Sequence, residues 1–344
     1  MKIIIFSPTS TKLNLSEDQP IGGADTTLLK MIKILSDQND VSAFVPTDTR
    51  TVYHKALIFP WQEIFDGEHE CDLLIHCRKL WAVPTNIKYK KSVFYSQDTV
   101  DTPCFSGIKD KSEALNIYNR IWVLSKFHKE NVKSMFPVSD DKFLILGNAA
   151  EPQEACQKEP LTFMYCSTPF RGLDALIMMW KRIIAKYPTA RLHVFSSMKI
   201  YGAEHLDDMM GRMIPDLKEG RFKGVIYHGS QPHQILIDQM KKTWMLLYPN
   251  VYPETYCNVI MEARSCRMPF ITTFLGALPE TGEAAGIYIV GNARTEEYQE
   301  GFLRMLDAMI ENPYLYQKFA ECCYPIRTWD DFAKDLLNEI KRLT

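Results

Sequence analysis

The stretch of sequence that decides the fold is residues 248–279, YPNVYPETYCNVIMEARSCRMPFITTFLGALP. Residues 244–248, WMLLY, form a short apolar run that stops at Pro249, which predicts a buried strand ending where the proline removes a backbone donor. The residue types from position 256 onward suit a helix, and Glu262 would lie about one and a half turns into it. Glu254 lies in the loop between strand and helix. The stretch therefore predicts a strand, a loop and a helix, with one glutamate on each side of the helix start.

The start of this helix is a candidate anion site. The first backbone N–H groups of a helix have no acceptor within it, and the helix dipole adds a partial positive charge there. With a start near Tyr256 or Cys257, these groups would belong to Tyr256, Cys257, Asn258 and Val259. The arrangement favours a bound phosphate.

Glu262 is the second candidate ligand contact. Its neighbours at 259–261 and 263 are apolar, and an unpaired carboxylate is costly to bury in such surroundings. The vicinal hydroxyls of a ribose would be suitable donors. Two alternatives remain open, in which Glu262 faces water or pairs with Arg264 or another nearby base.

The residues that follow predict a further strand and a glycine loop. Residues 267–273 suit a short turn into a buried strand, and residues 275–280, LGALPE, place a glycine loop at its carboxyl end. Ligands of open α/β sheets bind at the carboxyl ends of the strands.

Taken in this order, the features resemble the donor-nucleotide signature of retaining glycosyltransferases with the GT-B fold, specifically glycosyltransferase family 4, the glycosyl transferases group 1. Members carry two glutamates separated by seven residues, here Glu254 and Glu262. A proline step into a strand follows, here Pro269, and then a glycine-proline-glutamate loop, here ending at Pro279 and Glu280. The resemblance implies transfer of a sugar from a nucleotide diphosphate sugar.

Strand and helix patterns alternate along both halves of the chain, which predicts parallel sheets. The predicted strands are residues 3–6, 41–45, 73–76, 93–95, 121–124 and 143–146, then 162–166, 192–195, 225–227, 244–248, 270–273 and 287–290. Further helices are predicted at residues 24–35, 173–186, 204–213, 232–242 and 329–343.

The predicted fold class is α/β, a GT-B fold of two Rossmann-like, doubly wound parallel-sheet domains that face a cleft. Residues 151–160 are polar and bracketed by prolines, as in an interdomain linker. Residues 1–150 would form an acceptor-side domain and residues 151–328 a nucleotide-sugar donor domain. Residues 329–344 would form a helix that, in enzymes of this fold, often crosses back to the first domain.

Composition excludes several classes of protein. Hydrophobic residues make up 46% of the 344 residues and the formal net charge is −2, which argues against a nucleic-acid partner. No segment approaches the length of a membrane span, and the apolar run after Lys2 is too short for a signal peptide. Nine cysteines without regular spacing suit reduced thiols, and we expect a cytoplasmic protein.

Arg171 is the candidate for the diphosphate. It lies between a predicted strand and the helix at residues 173–186, so a guanidinium would reach the carboxyl edge of the second sheet. The alternative is an exposed arginine at a helix entry. Family members carry a lysine or arginine at this place, and many carry another arginine five residues earlier. That second position is Cys166 here.

Two features of the first half are also candidates. Gly22 and Gly23 open a helix after the first strand and would let a ligand approach the backbone, although such a pair is often a simple turn. In the family this position approaches the donor sugar and phosphates. Many relatives have a histidine loop where this chain has Gln97 and Asp98, and Gln97 could still bond a sugar hydroxyl.

We expect neither a cofactor nor a metal site. The cluster of acidic residues and histidines at 66–77 has no zinc-ligand spacing and suits a solvated loop that leads into a strand, and the chain has no Asp-x-Asp pair. The resemblance assigns Glu262 to the ribose, Arg171 and the amides at 256–259 to the diphosphate, and Glu254 to a sugar hydroxyl. Glu254 and Arg171 would be the catalytic pair of a retaining, metal-independent transfer.

Other functions stay open at this stage. The departures at Gln97 and Cys166 also suit a catalytically degenerate protein that binds a sugar nucleotide, and an epimerase or phosphorylase can share the fold. The sequence does not identify the donor base, the sugar, the glycan or glycoconjugate acceptor or the oligomeric state.

Overall fold

The computed structural model of the protein describes residues 1–9, 12–16, 19–80, 84–108, 110–111 and 113–343. These residues form two compact units. The first contains the described residues of 1–15 together with those of 22–148 and 329–343. The second contains the described residues of 16–21 together with 149–328.

The described residues form parallel sheets joined by helices. The strands are β1 (Lys2–Phe6), β2 (Asp40–Val45), β3 (Thr51–Tyr53), β4 (Ala56–Pro60), β5 (His69–Cys77), β6 (Ile87–Tyr95), β7 (Arg120–Val123), β8 (Phe143–Ile145), β9 (Glu159–Cys166), β10 (Arg191–Phe195), β11 (Val225–Tyr227), β12 (Thr243–Tyr248), β13 (Phe270–Thr273) and β14 (Gly286–Ile289). The α-helices are α1 (Gly23–Ser36), α2 (Lys126–Lys133), α3 (Leu173–Lys186), α4 (Met213–Lys218), α5 (His233–Lys242), α6 (Asn258–Ser265), α7 (Leu278–Gly282), α8 (Glu296–Glu311), α9 (Pro313–Glu321) and α10 (Trp329–Leu343).

The sheet of the first unit has the order β3-β4-β2-β1-β5-β6-β7-β8. All neighbours pair in parallel except β3 and β4, which are antiparallel. The inner strands are apolar because both faces are covered, and Ile3, Ile5, Leu73 and Ile75 are fully buried. The edge strand β3 and its neighbour β4 were not predicted from the sequence.

The strand β5 is longer than predicted. The sequence suggested a solvated loop up to residue 72, whereas the strand begins at His69. The added residues pair with the start of β6, and the ammonium of Lys90 lies 2.6 Å from the carboxylate of Asp72. Charged residues are tolerated at this end because they pair across neighbouring strands.

The sheet of the second unit is parallel throughout, in the order β11-β10-β9-β12-β13-β14. Counting strands from β9, this is the order 3-2-1-4-5-6 of a Rossmann fold. The chain reverses its direction of travel across the sheet between β9 and β12, so their carboxyl ends flank the switch point where such folds bind ligands. The predicted class of two parallel-sheet α/β domains is confirmed.

One predicted helix is wrong in kind and in place. The sequence suggested an α-helix at residues 204–213, but Glu204–Met210 is a 3₁₀ segment and α4 begins only at Met213. Gly211, with φ of 58°, interrupts the helical backbone between them. The buried Asp207 also ties the segment down, because its carboxylate accepts from the Ser197 hydroxyl at 2.6 Å.

The last helix, α10, belongs to the first unit. Its buried Glu339 accepts from the Nε of Arg120 at 2.9 Å, next to the start of β7. At its other end, the Lys30 ammonium of α1 lies 5.6 Å from the centre of the Trp329 ring. The helix is therefore fastened to two elements of that unit.

Candidate functional site

The candidate site lies at the switch point of the second sheet. After β9 ends at Cys166, a 3₁₀ turn at Pro169–Arg171 leads into α3. After β12 ends at Tyr248, a loop that carries Glu254 leads into α6. Because β9 and β12 are neighbours in the sheet, both loops lie at the same edge.

Arg171 and Glu254 contact each other directly. The Nη1 of Arg171 lies 2.5 Å from the Oε1 of Glu254, whose side chain is only 6% exposed. The same oxygen accepts from the hydroxyl of Tyr248 at 2.8 Å. Burial lowers the pKa of Arg171, but the Glu254 carboxylate together with the neighbouring tyrosine and cysteine groups outweighs it, and the pKa lies well above its usual value. Two residues that the sequence placed at this sheet edge therefore form one charged pair.

Tyrosines surround the pair. The ring of Tyr252 lies under the Arg171 guanidinium, 4.6 Å from Cζ to the ring centre. Burial raises the pKa of the Tyr248 hydroxyl well above its usual value, so this group stays a proton donor to Glu254. The hydroxyl also lies 3.3 Å from that of Ser167. The sequence analysis did not identify these tyrosines, although Tyr248 ends the predicted strand and Tyr252 lies in the loop after it.

Two glycines let the site loops approach other backbone segments. Gly172 has φ of 104°, and a Cβ there would lie 2.0 Å from the carbonyl oxygen of Pro249. Gly276 has φ of 59°, and a Cβ there would lie 2.7 Å from both the N and the O of Glu254. The next amide, that of Ala277, donates to the Glu254 carbonyl at 2.8 Å. The glycine loop predicted at residues 275–280 thus holds the backbone of Glu254.

The helix that carries Glu262 begins later than predicted. Its first residue is Asn258 and its N-cap is Cys257, so Tyr256 lies before the helix and its amide is not part of the first turn. The amide of Cys257 donates to the hydroxyl of Thr281 at 3.4 Å. The predicted anion site at this helix start is therefore reduced to Asn258 and the residues after it. The backbone amide of the buried Cys257 therefore has its acceptor on the neighbouring α7.

Glu262 pairs with a histidine, which the sequence analysis did not identify. The Nε2 of His233 lies 2.8 Å from the Oε1 of Glu262, and the two side chains are 42% and 17% exposed. Val259, on the same helix, is half-buried. Of the alternatives that the sequence left open for Glu262, the structure shows the one in which it pairs with another nearby base.

Arg264 does not pair with Glu262. Its buried guanidinium donates to the carbonyls of Thr281 at 2.7 Å and Pro325 at 2.9 Å, and to the carboxylate of Glu283 at 3.0 Å. It acts as a clamp on the far side of α6. The two charged residues of this helix thus have separate tasks, one at the candidate site and one in the core.

Cys166 is a core residue. It ends β9, is 3% exposed, and burial raises its thiol pKa well above the usual value. The position where many relatives carry a second arginine is therefore occupied by a neutral thiol in this chain.

In the first unit, the double glycine opens α1 as the sequence suggested. Gly22 is the N-cap and Gly23 the first helical residue, and the Gly22 carbonyl accepts from the amide of Thr26 at 2.9 Å. Gln97 lies half-buried in the loop after β6.

Asp98, next to Gln97, is fixed by an arginine. The Arg78 guanidinium binds both carboxylate oxygens, at 2.8 and 2.9 Å, and the Cys104 thiol lies 3.3 Å away. Burial would raise the pKa of Asp98, but Arg78 outweighs it and lowers the pKa. Burial raises the pKa of Asp25, in the first turn of α1. A charged cluster therefore lies at the carboxyl edge of the first sheet.

A buried histidine supports the loop after β6. The Nε2 of His128 lies 3.1 Å from the carbonyl oxygen of Asp98 and 3.1 Å from the hydroxyl of Ser96, while its Nδ1 accepts from the amide of Leu124. Burial lowers the pKa of His128 to about 4, so the ring is neutral. The residue was not singled out from the sequence, because a lone histidine in a helix gives no such signal.

A stack of rings lies at the carboxyl edge of the second sheet. The ring of His228, just after β11, stacks on that of Phe195 at the end of β10, with centres 4.2 Å apart. On β10, His193 also stacks with His228, 5.2 Å away. Burial, followed by the neighbouring His228, lowers the pKa of His193 to about 4.

Among the described residues, no group of three or more His, Cys, Asp or Glu residues could hold a metal ion. No helix among them is long and apolar enough to cross a membrane.

Comparison with known proteins identifies the family signature and the fold. Residues 160–308 match the family model described as "Glycosyl transferases group 1". No curated protein matches the chain. Residues 160–308, less than half of the chain, thus carry the group 1 glycosyl transferase signature that the sequence predicted, while the assignment to family 4 stays a prediction.

Solved structures resemble the whole chain. Sucrose-phosphate synthase from Thermosynechococcus elongatus is 13% identical, with a TM-score of 0.74 over 99% of this chain and 98% of its own. HepE from Anabaena in complex with UDP-glucose is 13% identical, with a TM-score of 0.71 over the full length of both chains. WaaG, a glycosyltransferase involved in lipopolysaccharide biosynthesis, is 13% identical, with a TM-score of 0.62 over 94% of both chains. The chain therefore has the fold of GT-B glycosyltransferases.

Proposed function

We propose that this chain, a GT-B protein with a glycosyl transferases group 1 signature, is a retaining glycosyltransferase that acts without a metal ion. It would move a sugar, in the first instance a hexose, from a nucleotide diphosphate sugar to a glycan, lipid-linked or protein-linked acceptor. The observation that carries the proposal is the pairing of Arg171 with Glu254 at the switch point of a Rossmann-ordered sheet. The family match over residues 160–308 supports it.

The diphosphate is assigned to Arg171 and the start of α6. Arg171 is held at the carboxyl edge by the 3₁₀ turn, and a guanidinium binds phosphate oxygens in a bidentate manner. The helix beginning at Asn258 adds its dipole and its first amides, including that of Val259. These groups would stabilise the charge that develops on the departing diphosphate.

Glu254 is assigned to a hydroxyl of the transferred sugar, and Glu262 to the ribose. A diphosphate would draw Arg171 away from Glu254, so the carboxylate would then need a new donor, which a sugar hydroxyl supplies. In the transfer, the anomeric carbon exchanges its bond to the diphosphate oxygen for one to the acceptor oxygen. The acceptor proton leaves with the diphosphate, so no protein residue acts as a nucleophile.

The assignments of Gly22, Gly23 and Gln97 to donor or sugar contact rest on the family resemblance and remain proposals. We also propose a cytoplasmic location, which the nine free cysteines support.

A second candidate is a degenerate protein that binds a sugar nucleotide without transferring the sugar. The observations that favour it are the buried thiol of Cys166 in place of a basic residue and the capture of Asp98 by Arg78. The two candidates differ in turnover. Binding of a donor without hydrolysis or transfer, in the presence of a panel of sugar acceptors, would favour the degenerate protein.

The proposal predicts that a nucleotide sugar raises the melting temperature. HepE binds UDP-glucose, so that donor is tested first, followed by GDP-mannose and ADP-glucose. A ligand at about 100 times its Kd adds about 2.7 kcal/mol to the free energy of unfolding. Glu262→Ala should reduce the increase, because the ribose loses its carboxylate.

The matched control is Glu297→Ala, an exposed glutamate in the first turn of α8. This variant should respond to the donor as the unaltered protein does. A protein whose melting temperature rises with none of the three donors would contradict the proposed function.

A further inference from the structure

The carboxylate assigned to the ribose already has a partner within the second unit. His233 is the first residue of α5, directly after the N-cap Pro232, and Glu262 lies on α6. The Nε2 of His233 lies 2.8 Å from Oε1 of Glu262. The histidine side chain is 42% exposed, so it is open to solvent protons, whereas the glutamate is 17% exposed.

The charge of His233 decides how much of the carboxylate is left for a ligand. A neutral ring can donate one hydrogen bond to Oε1 and leave the carboxylate charged, with Oε2 and further lone pairs for the ribose hydroxyls. A protonated ring forms an ion pair, whose charge-assisted bond is about twice as strong as a neutral one. The protonated ring therefore competes with the ribose for Glu262.

Histidine changes its charge between pH 5 and 8. Glu262 interacts electrostatically with three thiols. They are those of Cys166 on β9, Cys257 at the start of α6 and Cys266 at its end. Burial raises the pKa of all three, so they stay neutral over this range. On α5 itself the charged residues are Asp238, Lys241 and Lys242. In the loop before α5, burial lowers the pKa of His228.

We propose that His233 is a positioning residue of the donor site, which holds Glu262 for the ribose when neutral and withdraws it when protonated. The affinity for a nucleotide sugar then falls as the pH drops below neutrality. This inference rests on the proposed function, because it takes Glu262 as the ribose contact. It adds a residue and a pH dependence that the family signature does not contain.

The test measures binding of UDP-glucose, GDP-mannose and ADP-glucose by titration calorimetry at about pH 8 and about pH 5.5, on either side of the histidine range. Nucleotide sugars are used because they lack the terminal phosphate monoester, which itself titrates near pH 6. The variants are His233→Gln, which cannot be protonated, and His205→Gln as the matched control. His205 is an exposed histidine of the same unit.

The unaltered protein and His205→Gln should bind the donor about threefold to tenfold more weakly at the lower pH, the effect of one hydrogen bond. His233→Gln should change by less than about twofold between the two pH values, because its amide does not titrate. Melting temperatures without ligand verify that each protein is folded at both pH values. His233→Asn replaces His233→Gln if the latter does not fold.

The inference is overturned if His233→Gln keeps the pH dependence of the unaltered protein, or if the unaltered protein shows none. Glu262→Ala separates this failure from that of the proposed function. If the donor binds Glu262→Ala as it binds the unaltered protein, the ribose assignment itself is wrong. If none of the three donors binds at either pH, the proposed function fails and the inference fails with it.

Discussion

At the residue scale, Glu254 shows how neighbouring donors compensate a buried charge. A carboxylate that is 6% exposed would be costly to bury alone, and both Arg171 and Tyr248 bond to its Oε1. Only Arg171, 30% exposed, can turn toward another anion without leaving the carboxylate bare, since Tyr248 remains. The pair therefore contains one cation that could turn to the proposed diphosphate.

Replacing Gly276 with alanine should destabilise the protein. In Gly276→Ala, the new methyl group would lie 2.7 Å from backbone atoms of Glu254, and the residue would keep a left-handed φ of 59°. The left-handed conformation alone costs about 1–2 kcal/mol for alanine, and the displaced backbone adds to it. We expect chemical denaturation to report a free energy of unfolding lower by more than about 1 kcal/mol.

The matched control for this substitution is Gly301→Ala in the middle of α8. A Cβ there meets only a methyl group of Ile289 at 3.6 Å, an ordinary contact. Alanine is about 1 kcal/mol better than glycine inside a helix, so this variant should be more stable. Equal responses of the two variants would show that the Gly276 loop is not packed as described.

At the element scale, α6 joins the candidate site to the core of its unit. One side presents Glu262 to α5, and the other presents Arg264 to α7 and to the segment after α9. The segment after α9 is reached through the carbonyls of Cys323 and Pro325. Because these segments lie far from α6 in sequence, the hydrogen bonds of Arg264 hold the end of the second unit against α6.

Replacing this clamp should destabilise the second unit. In Arg264→Met, the methylene part of the side chain is kept, but the carbonyls of Thr281 and Pro325 lose a charged donor. A buried polar group left unsatisfied costs about 1–3 kcal/mol, so we expect a loss of about 2–4 kcal/mol in the free energy of unfolding. Urea denaturation followed by tryptophan fluorescence measures it.

Arg212→Met is the matched control, because Arg212 is 67% exposed and pairs only with surface carboxylates. Surface ion pairs contribute about 0–1 kcal/mol, so its stability should hardly change. A loss in Arg264→Met no larger than in Arg212→Met would contradict the role of the clamp.

At the scale of the whole molecule, buried histidines predict how stability depends on pH. Burial lowers the pKa of His76 to about 3 and of His128 to about 4. The folded state keeps both rings neutral, while the unfolded chain binds protons below about pH 6.5. The unfolded state therefore takes up more protons as the pH falls, and stability is lost between about pH 6.5 and 4.

Each such histidine contributes at most about 1.4 kcal/mol per pH unit in that window. Urea denaturation at about pH 7.5 and about pH 5 measures the loss. His128→Asn removes one titrating ring, and the side-chain oxygen of asparagine can still accept from the amide of Leu124. The variant should therefore lose less stability on acidification than the unaltered protein. If His128→Asn loses as much stability between the two pH values as the unaltered protein, His128 does not contribute to the pH dependence.

The sequence by itself determined the local elements and the residue types at the strand ends. The strands at 225–227 and 270–273 and the helix at 173–186 were predicted with the bounds that the structure shows, because apolar periodicity is a local property. It also singled out Glu254 and Glu262. It missed α8, whose pattern contains Gly301, and the short strands β3 and β4 at one side of the first sheet, which bury too little to show a clear alternation.

Only the tertiary structure decided which side chains meet. Arg171 and Glu254 are 83 positions apart, and His233 and Glu262 are 29 apart. The Arg171–Glu254 contact depends on the order of the strands, which brings the ends of β9 and β12 together at the switch point. The His233–Glu262 contact depends on α5 and α6 lying side by side. Periodicity places a residue on a strand end or a helix face, but it does not say which ends become neighbours. That choice follows from burying both sheet faces at once, a property of the folded chain as a whole.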